Sequence, residues 1–502
     1  MNRRSAIAAL AVASMTLAAF GSDVRASIAP DEPTGELRVG EALAWMSWDP
    51  LQVIRAGYDM AWFRPVYEPL FEVGPDLSLE STLLAGWDLT SEYLDLTLID
   101  GITFQDGTAL DAEALKFNLL RARDTEGPSQ SLFASVADVE IVDPLSVRVV
   151  LATPTPHLPY VLAKDAGMMV SPAAAEAGTL ETEPVGTGPW VLNTDETQAD
   201  AQAVYDAWDG YRDPSQQRIA RIVIYPGVFG PEPFAAGDLD ISYFADPQRS
   251  AMEGANGAIA SEPYGGGTLL SFIDRGSGGV FEDVRVREAV AAAIDREALN
   301  AAVGNGGDPR AVPVAGDDYA ASEELTGHPF EPDRAESLLA DAGVEGLSFS
   351  IPVYPPVQAI GEALQALLRE QGIEMELVPI TGSIFAECSS GKYEACMFTD
   401  SASHPAQMYD LMVSAETFLN PSGVESEEVA AAAQAAFAEP DLATAEPLWN
   451  AWYQAVFNDD VALTYLVRSP VEMAYHPDRV ETPNLTFVAP TAIDFRGLAL
   501  VD

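Results

Sequence analysis

The sequence predicts an α/β protein of more than one lobe, and three observations carry that expectation. Its 502 residues are 48% hydrophobic with Gly and Pro scattered throughout, enough to bury more than one large core. Leu347, Phe349, Ile351 and Val353 alternate as a strand, Val357 to Gln371 has helical apolar spacing, and Ile373, Met375 and Leu377 alternate again, which makes a βαβ unit. Residues 66 to 185 carry a different pattern, strand–turn–strand runs around one capped helix, and so predict a small α+β unit.

Residues 1 to 26 read as an export signal: Arg3 and Arg4 form a charged start, Ala6 to Phe20 is apolar, and Val24-Arg25-Ala26 offers small residues for cleavage. The apolar run falls short of the roughly 20 residues that span a bilayer, so a mature chain starting near Ser27 is expected. The arginine pair also hints at twin-arginine export, although Asn2-Arg3-Arg4-Ser5-Ala6-Ile7 matches that signal weakly. No later stretch is long and apolar enough to span.

Leu37 to Gly40 predicts the first strand, followed by Trp45-Met46-Ser47-Trp48-Asp49-Pro50. Ligands of open α/β sheets bind beyond the carboxyl ends of strands, which makes Trp45 and Trp48 candidate pocket walls, with plain core packing as the alternative. Leu94, Leu96 and Leu98 alternate, and Asp100-Gly101 predicts a two-residue hairpin turn before Ile102 to Phe104. Asp111 is a good N-cap, with Leu110 and Leu115 placed as a hydrophobic staple around a helix over 112–123. Val139 to Val142, Asp143-Pro144 and Val147 to Leu151 repeat the strand–turn–strand pattern. In the βαβ unit Gly372 can end the helix, and Tyr354 follows the first strand, at a ligand-binding edge or as a loop residue capping the fold.

Acids number 77 against 26 Lys and Arg, a net charge of −51, and only Lys116, Lys164 and Lys392 supply ammonium groups. Such a field repels nucleic acid and anionic lipid, so no nucleic-acid partner is expected. The two cysteines, Cys388 and Cys396, are close in sequence in an exported chain, and a disulfide closing the short loop is expected. The four histidines, His157, His328, His404 and His476, are scattered, and zinc usually wants three or four nitrogen or sulfur ligands. Neither a metal site nor a cofactor is expected.

Several segments, taken in order, resemble the extracellular solute-binding protein family 5, the dipeptide, oligopeptide and nickel-binding group of ABC importers. They are Val66-Tyr67-Glu68-Pro69-Leu70-Phe71-Glu72, Leu83-Leu84-Ala85-Gly86-Trp87, Leu98 to Thr108, Pro184-Val185-Gly186-Thr187-Gly188-Pro189-Trp190, and Phe281 to Arg296. Each has its own physical reading. Gly186-Thr187-Gly188 lacks the Lys-Ser or Lys-Thr of a phosphate loop and predicts a tight crossing turn between lobes. Asp295 can cap a helix that begins at Arg296, and Val286, Val290 and Ile294 share a face of the helix before it.

The resemblance implies a type II periplasmic-binding-protein fold: two α/β lobes joined by crossing strands, with an inserted α+β subdomain. Lobe I would be discontinuous, 27–65 plus 186–275 plus 476–502, the inserted subdomain 66–185 and lobe II 276–475. It implies a non-enzymatic, extracytoplasmic substrate-binding component of an ABC importer, a monomer that closes on a small solute (peptide, opine, sugar or metal chelate) and delivers it to permease subunits. In peptide-binding relatives an acid after a glycine–aromatic strand pairs with the peptide amino terminus. Gly391 to Asp400 is similar to that segment, with Phe398 and Thr399 where a Trp is common, so Asp400 is the implied amine partner and a surface Asp the alternative. Asp274 stands where family members often carry Asn, either as a group for a cation or amine or as a structural hydrogen-bonding group. Phe20 occupies the place of a lipidated Cys, which implies a periplasmic or secreted protein without a lipid anchor. The competing classes are a secreted hydrolase, for which no Gly-x-Ser-x-Gly or His-Glu-x-x-His is present, and a ligand sensor on the same fold.

Overall fold

The computed structural model describes residues 32–53, 59–74, 78–126, 130–244, 248–262, 267–304, 307–313, 318–380, 384–400, 404–417, 419–468, 471–481, 487–489 and 492–501. The expected export signal, residues 1–26, lies outside them.

The first lobe is built on a seven-stranded sheet. Its spatial order is Ala258–Glu262, Val471–Tyr475, Ile241–Tyr243, Thr34–Glu41, Ile219–Pro226, Ala203–Ala207 and Trp190–Leu192. Thr34–Glu41 lies in the middle, parallel to both neighbours. Leu37 and Val39 have no exposed surface and pack with Trp62, Phe63, Trp190 and Ile222 in one core, as expected of a strand covered on both faces.

The second lobe holds an antiparallel sheet of Ala395–Asp400, Gly267–Phe272 and Leu463–Arg468, and the parallel pair Ser348–Val353 and Glu374–Pro379. The predicted βαβ unit is there, its crossover the helix Pro355–Glu370. The strand pairings assign two strands to sheets other than those the expected bounds, 186–275 and 276–475, would give them. Gly267–Phe272 pairs with second-lobe strands and Val471–Tyr475 with first-lobe strands. Gly267–Phe272 thus belongs to the second-lobe sheet and Val471–Tyr475 to the first-lobe sheet, because backbone pairing and not motif order decides the sheet.

The inserted subdomain has a four-stranded antiparallel sheet, in order Leu84–Leu89, Tyr93–Leu98, Ser146–Leu151 and Val136–Asp143, with the helix Ala112–Asp124 and a core of its own. The Asp111 carboxylate accepts from the Glu113 and Ala114 amides, and Leu110 and Leu115 are buried around that cap. One expectation is corrected: the 94–98 strand pairs with Leu84–Leu89 and Ser146–Leu151, not with Ile102 to Phe104. Val66, Tyr67, Met168, Val170 and Leu180 pack into the first-lobe core, so the insert's own packing is narrower than 66–185.

The insert is fixed to the first lobe by buried charge. Arg64 pairs with Glu72 at 3.1 Å and Asp494 at 3.0 Å, and Arg496 pairs with both acids. Gly186 and Gly188 lie against the backbone of 65–67, where a Cβ would come within 2.2 Å of the Val66 carbonyl oxygen or 2.6 Å of its carbon. The Gln105 side chain closes this seam, donating to the Gly188 and Trp190 carbonyls and accepting from the Gly186 amide. These glycines thus serve close approach at the root of the insert instead of a turn between lobes.

Candidate functional site

The carboxyl ends of three strands, where open α/β sheets bind their ligands, mark the candidate site. The central first-lobe strand ends at Glu41, and the second-lobe strands Ser348–Val353 and Ala395–Asp400 end beside Tyr354 and at Asp400. Glu41 is 4% exposed, and burial pushes its carboxyl well above the usual carboxylate range. Sequence reasoning passed over Glu41, although its place at the end of the first predicted strand was a usable signal.

Asp400, Gly267 and Arg468 stand in one row across the three second-lobe strands. A Cβ on Gly267 would lie 2.3 Å from the Tyr465 ring and 3.2 Å from Arg468 Cγ, so only glycine fits between them. The Arg468 guanidinium is enclosed, paired with Asp318, and its amide and carbonyl bond the backbone of Asp308. The side chain of Asp400 lies outside what the structure describes.

The other predicted residues divide by burial. Trp45 is half-buried and packs on Trp48 and Trp62, with ring centroids 4.7 and 5.3 Å apart. Trp48 is a first-lobe core residue whose indole N–H donates to the Tyr205 hydroxyl at 3.3 Å. Phe398 is 1% exposed in a second-lobe core, so in this conformation its ring touches only protein. Thr399 is half-buried opposite Thr268, and Tyr354 is half-buried at the start of the Pro355–Glu370 helix between two second-lobe cores. Asp274 acts within its own loop. Its carboxylate accepts from the Val280 amide at 3.0 Å and its carbonyl from the Phe281 amide at 2.9 Å, closing the turn that leads to Val284–Ala292. Cys388 and Cys396 form a disulfide, Cα atoms 6.0 Å apart, and Cys396 lies in the strand that ends at Asp400.

A second cluster joins the insert to the second lobe. His157 and Tyr160 come from the short insert helix Leu158–Val161 and its cap, and their rings meet His404 at 6.2 and 5.1 Å between centroids. Tyr319 stacks on His404 at 4.5 Å, Phe437 meets His157 at 5.9 Å, and His157 Nε2 lies 2.9 Å from the Asp410 carboxylate. His404 Nδ1 accepts from the Ala406 amide. Burial, with His157 close by, holds the His404 imidazole well below its usual range and therefore neutral. Nothing in the sequence brings together histidines from such distant segments; only the fold does.

Comparison with known proteins decides the family. The profile of the bacterial extracellular solute-binding proteins, family 5 Middle, matches residues 83–420. The chain belongs to this family. The glutathione-binding protein GsiB of Salmonella paratyphi A is 28% identical over 345 residues, 66% of this solute-binding protein and 66% of that relative. The match thus spans just under two thirds of the curated relatives' length. Two solved structures share the fold. The oligopeptide-binding protein AppA from Bacillus subtilis, in complex with a nonapeptide, superposes with TM-score 0.75 at 18% identity, covering 94% of this chain and 100% of that one. NikZ from Campylobacter jejuni, in complex with Ni(L-His), gives 0.75 at 18% identity over 92% and 97%. The architecture is the type II periplasmic-binding-protein fold, two lobes with an inserted subdomain. Among the described residues no helix is long and apolar enough to cross a membrane, and no three metal-ligating side chains converge.

Proposed function

We propose that this protein captures a peptide-like solute between its two lobes outside the cytoplasm and delivers it to the permease of an ABC importer, without chemical change. The observation that carries this reading is the pair of acids, Glu41 and Asp400, at strand ends of opposite lobes in a family of solute-binding proteins. A peptide brings an ammonium group into the cleft, and a buried ammonium needs a carboxylate partner, because an unpaired buried ion costs far more than a hydrogen-bonded pair. Solute contacts to both lobes then supply the free energy that favours the closed state. The names of the relatives point the same way, one glutathione-binding and one holding a nonapeptide. Trp45, Tyr354 and Thr399, each only half-buried, are predicted contacts with surface to offer. Export by residues 1–26 and life as a monomer without a lipid anchor belong to the same proposal.

The test is a calorimetric screen of the mature chain against reduced glutathione, di- to nonapeptides, opines, sugars and nickel chelates. A binder at a hundredfold excess over its Kd should add about 2.7 kcal/mol of stability, and Asp400→Asn should weaken binding of amine-bearing hits at least tenfold. Unchanged affinity in Asp400→Asn removes the amine role. Cleavage of a bound peptide would favour the hydrolase, and intact import after gene deletion would favour the sensor.

A further inference from the structure

We infer that the contact of His157 and Tyr160 with the second lobe is a latch that holds the solute cleft closed, an inference that rests on the solute-capture reading above. The insert travels with the first lobe: Arg64, Glu72, Asp494 and Arg496 form a buried charge cluster between them, and Gln105 bonds the backbone on both sides of the seam. His404, Tyr319, Asp410 and Phe437 belong to the other body, where Phe437 and Tyr319 pack on the second-lobe core with Trp449. The strands of the two bodies pair in separate sheets. A contact from insert to second lobe therefore bridges parts that separate when the lobes rotate apart.

The physical character of the contact suits reversible use. His157 is 2% and His404 1% exposed, so opening uncovers several aromatic faces whose burial favours closure. Opposing that, His157 Nδ1 and His404 Nε2 have no hydrogen-bond partner among the described residues, so closure strips them of hydration without replacement. The His157–Asp410 contact stands at the rim, its carboxylate side chain 39% exposed, where a polar contact competes with water and is easily broken. Large apolar gain, uncompensated nitrogens and a polar contact at the rim make a latch whose net worth is small, as a cleft that must release its cargo requires. His157, Tyr160 and Asp410 are positioning residues in this account; none has to touch solute.

The test measures closure directly in the solute-free mature chain. Spin labels on Val142→Cys, 62% exposed on the insert, and Glu428→Cys, exposed on the second lobe, report the distance across the cleft, the native disulfide being left oxidised. Asp410→Asn should raise the open-to-closed ratio about two- to five-fold, the scale of one partly exposed hydrogen-bonded contact. His157→Ala should raise it further, with far-UV circular dichroism unchanged. If His157→Ala folds poorly, Asp410→Asn at the exposed rim still decides the matter. Distance distributions identical to wild type in the folded variants overturn the latch. Because no solute is present, that failure leaves solute capture standing, whereas a failed solute screen removes the cargo and not the contact.

Discussion

Glu68 receives both terminal nitrogens of Arg212 at 2.7 Å from a position with no exposed surface, while the Tyr211 hydroxyl donates to the same carboxylate at 3.2 Å. Arg496 stands 3.7 Å away on the other side. Glu68 lies between the first-lobe core and the insert, so this carboxylate neutralises cations that reach it from two segments. Glu68→Gln should cost about 1–3 kcal/mol in urea unfolding, since it removes the buried carboxylate that accepts from Arg212 and Tyr211, while Arg496 keeps Glu72 and Asp494. A cost below about 1 kcal/mol would show that solvent reaches the pair.

Asp494 sets the acid limit of the same seam. Burial opposes its ionisation, but Arg64 and Arg496 outweigh burial and hold its carboxyl far below the usual range; Glu72 is lowered by the same two cations. A carboxyl depressed in the folded state contributes stability that is present above its unfolded pKa, near 3.8, and lost as pH falls towards the folded value. Thermal melts should therefore fall steeply below about pH 4, and Asp494→Asn should be less stable at pH 7 with a shallower acid slope. Parallel slopes would assign acid unfolding elsewhere.

His404 adds a milder dependence at higher pH. Its imidazole is depressed in the folded protein, so the unfolded chain takes up the proton first, near 6.5, and stability declines as pH falls below that value. Between pH 7.5 and 5.5 the wild-type melting temperature should drop more than that of His404→Gln. Equal drops in the two proteins would contradict a neutral His404.

The Cys388–Cys396 bridge closes a loop with a sequence separation of 8. Loop-closure entropy for so short a ring is worth about 2–3 kcal/mol. A Cys388→Ala and Cys396→Ala double variant should lose that much, and because Cys396 lies in the strand that ends at Asp400, solute affinity should weaken with it. Undiminished stability would mean that the unbridged loop is already ordered.

Much of the frame was legible because it is written in local signals. The Asp111 cap, the 136–151 hairpin and the 348–379 βαβ unit each need only neighbouring residues to be recognised. Which sheet a strand joins was not legible, because a strand's allegiance depends on its partners: Gly267–Phe272 reads the same in either sheet until Ala395–Asp400 is placed beside it. Among the candidate contacts, Asp400 came through a resemblance and Trp45 through its position after a strand, whereas Trp48 and Phe398 are equally aromatic and belong to cores, a distinction that only burial makes. The His157–Asp410 contact joins remote segments and has no periodicity to betray it.

The insert carries its own core and sheet, yet it enters and leaves within the first lobe. Such a module is exchangeable. On the latch reading, transplanting the 84–161 region from a relative, with the Arg64, Glu68 and Gln105 seam retained, would alter how firmly the cleft shuts while leaving the acids at its strand ends untouched. On the latch and solute-capture readings, dwell time and cargo choice lie in different stretches of one polypeptide, and selection can adjust either without disturbing the other.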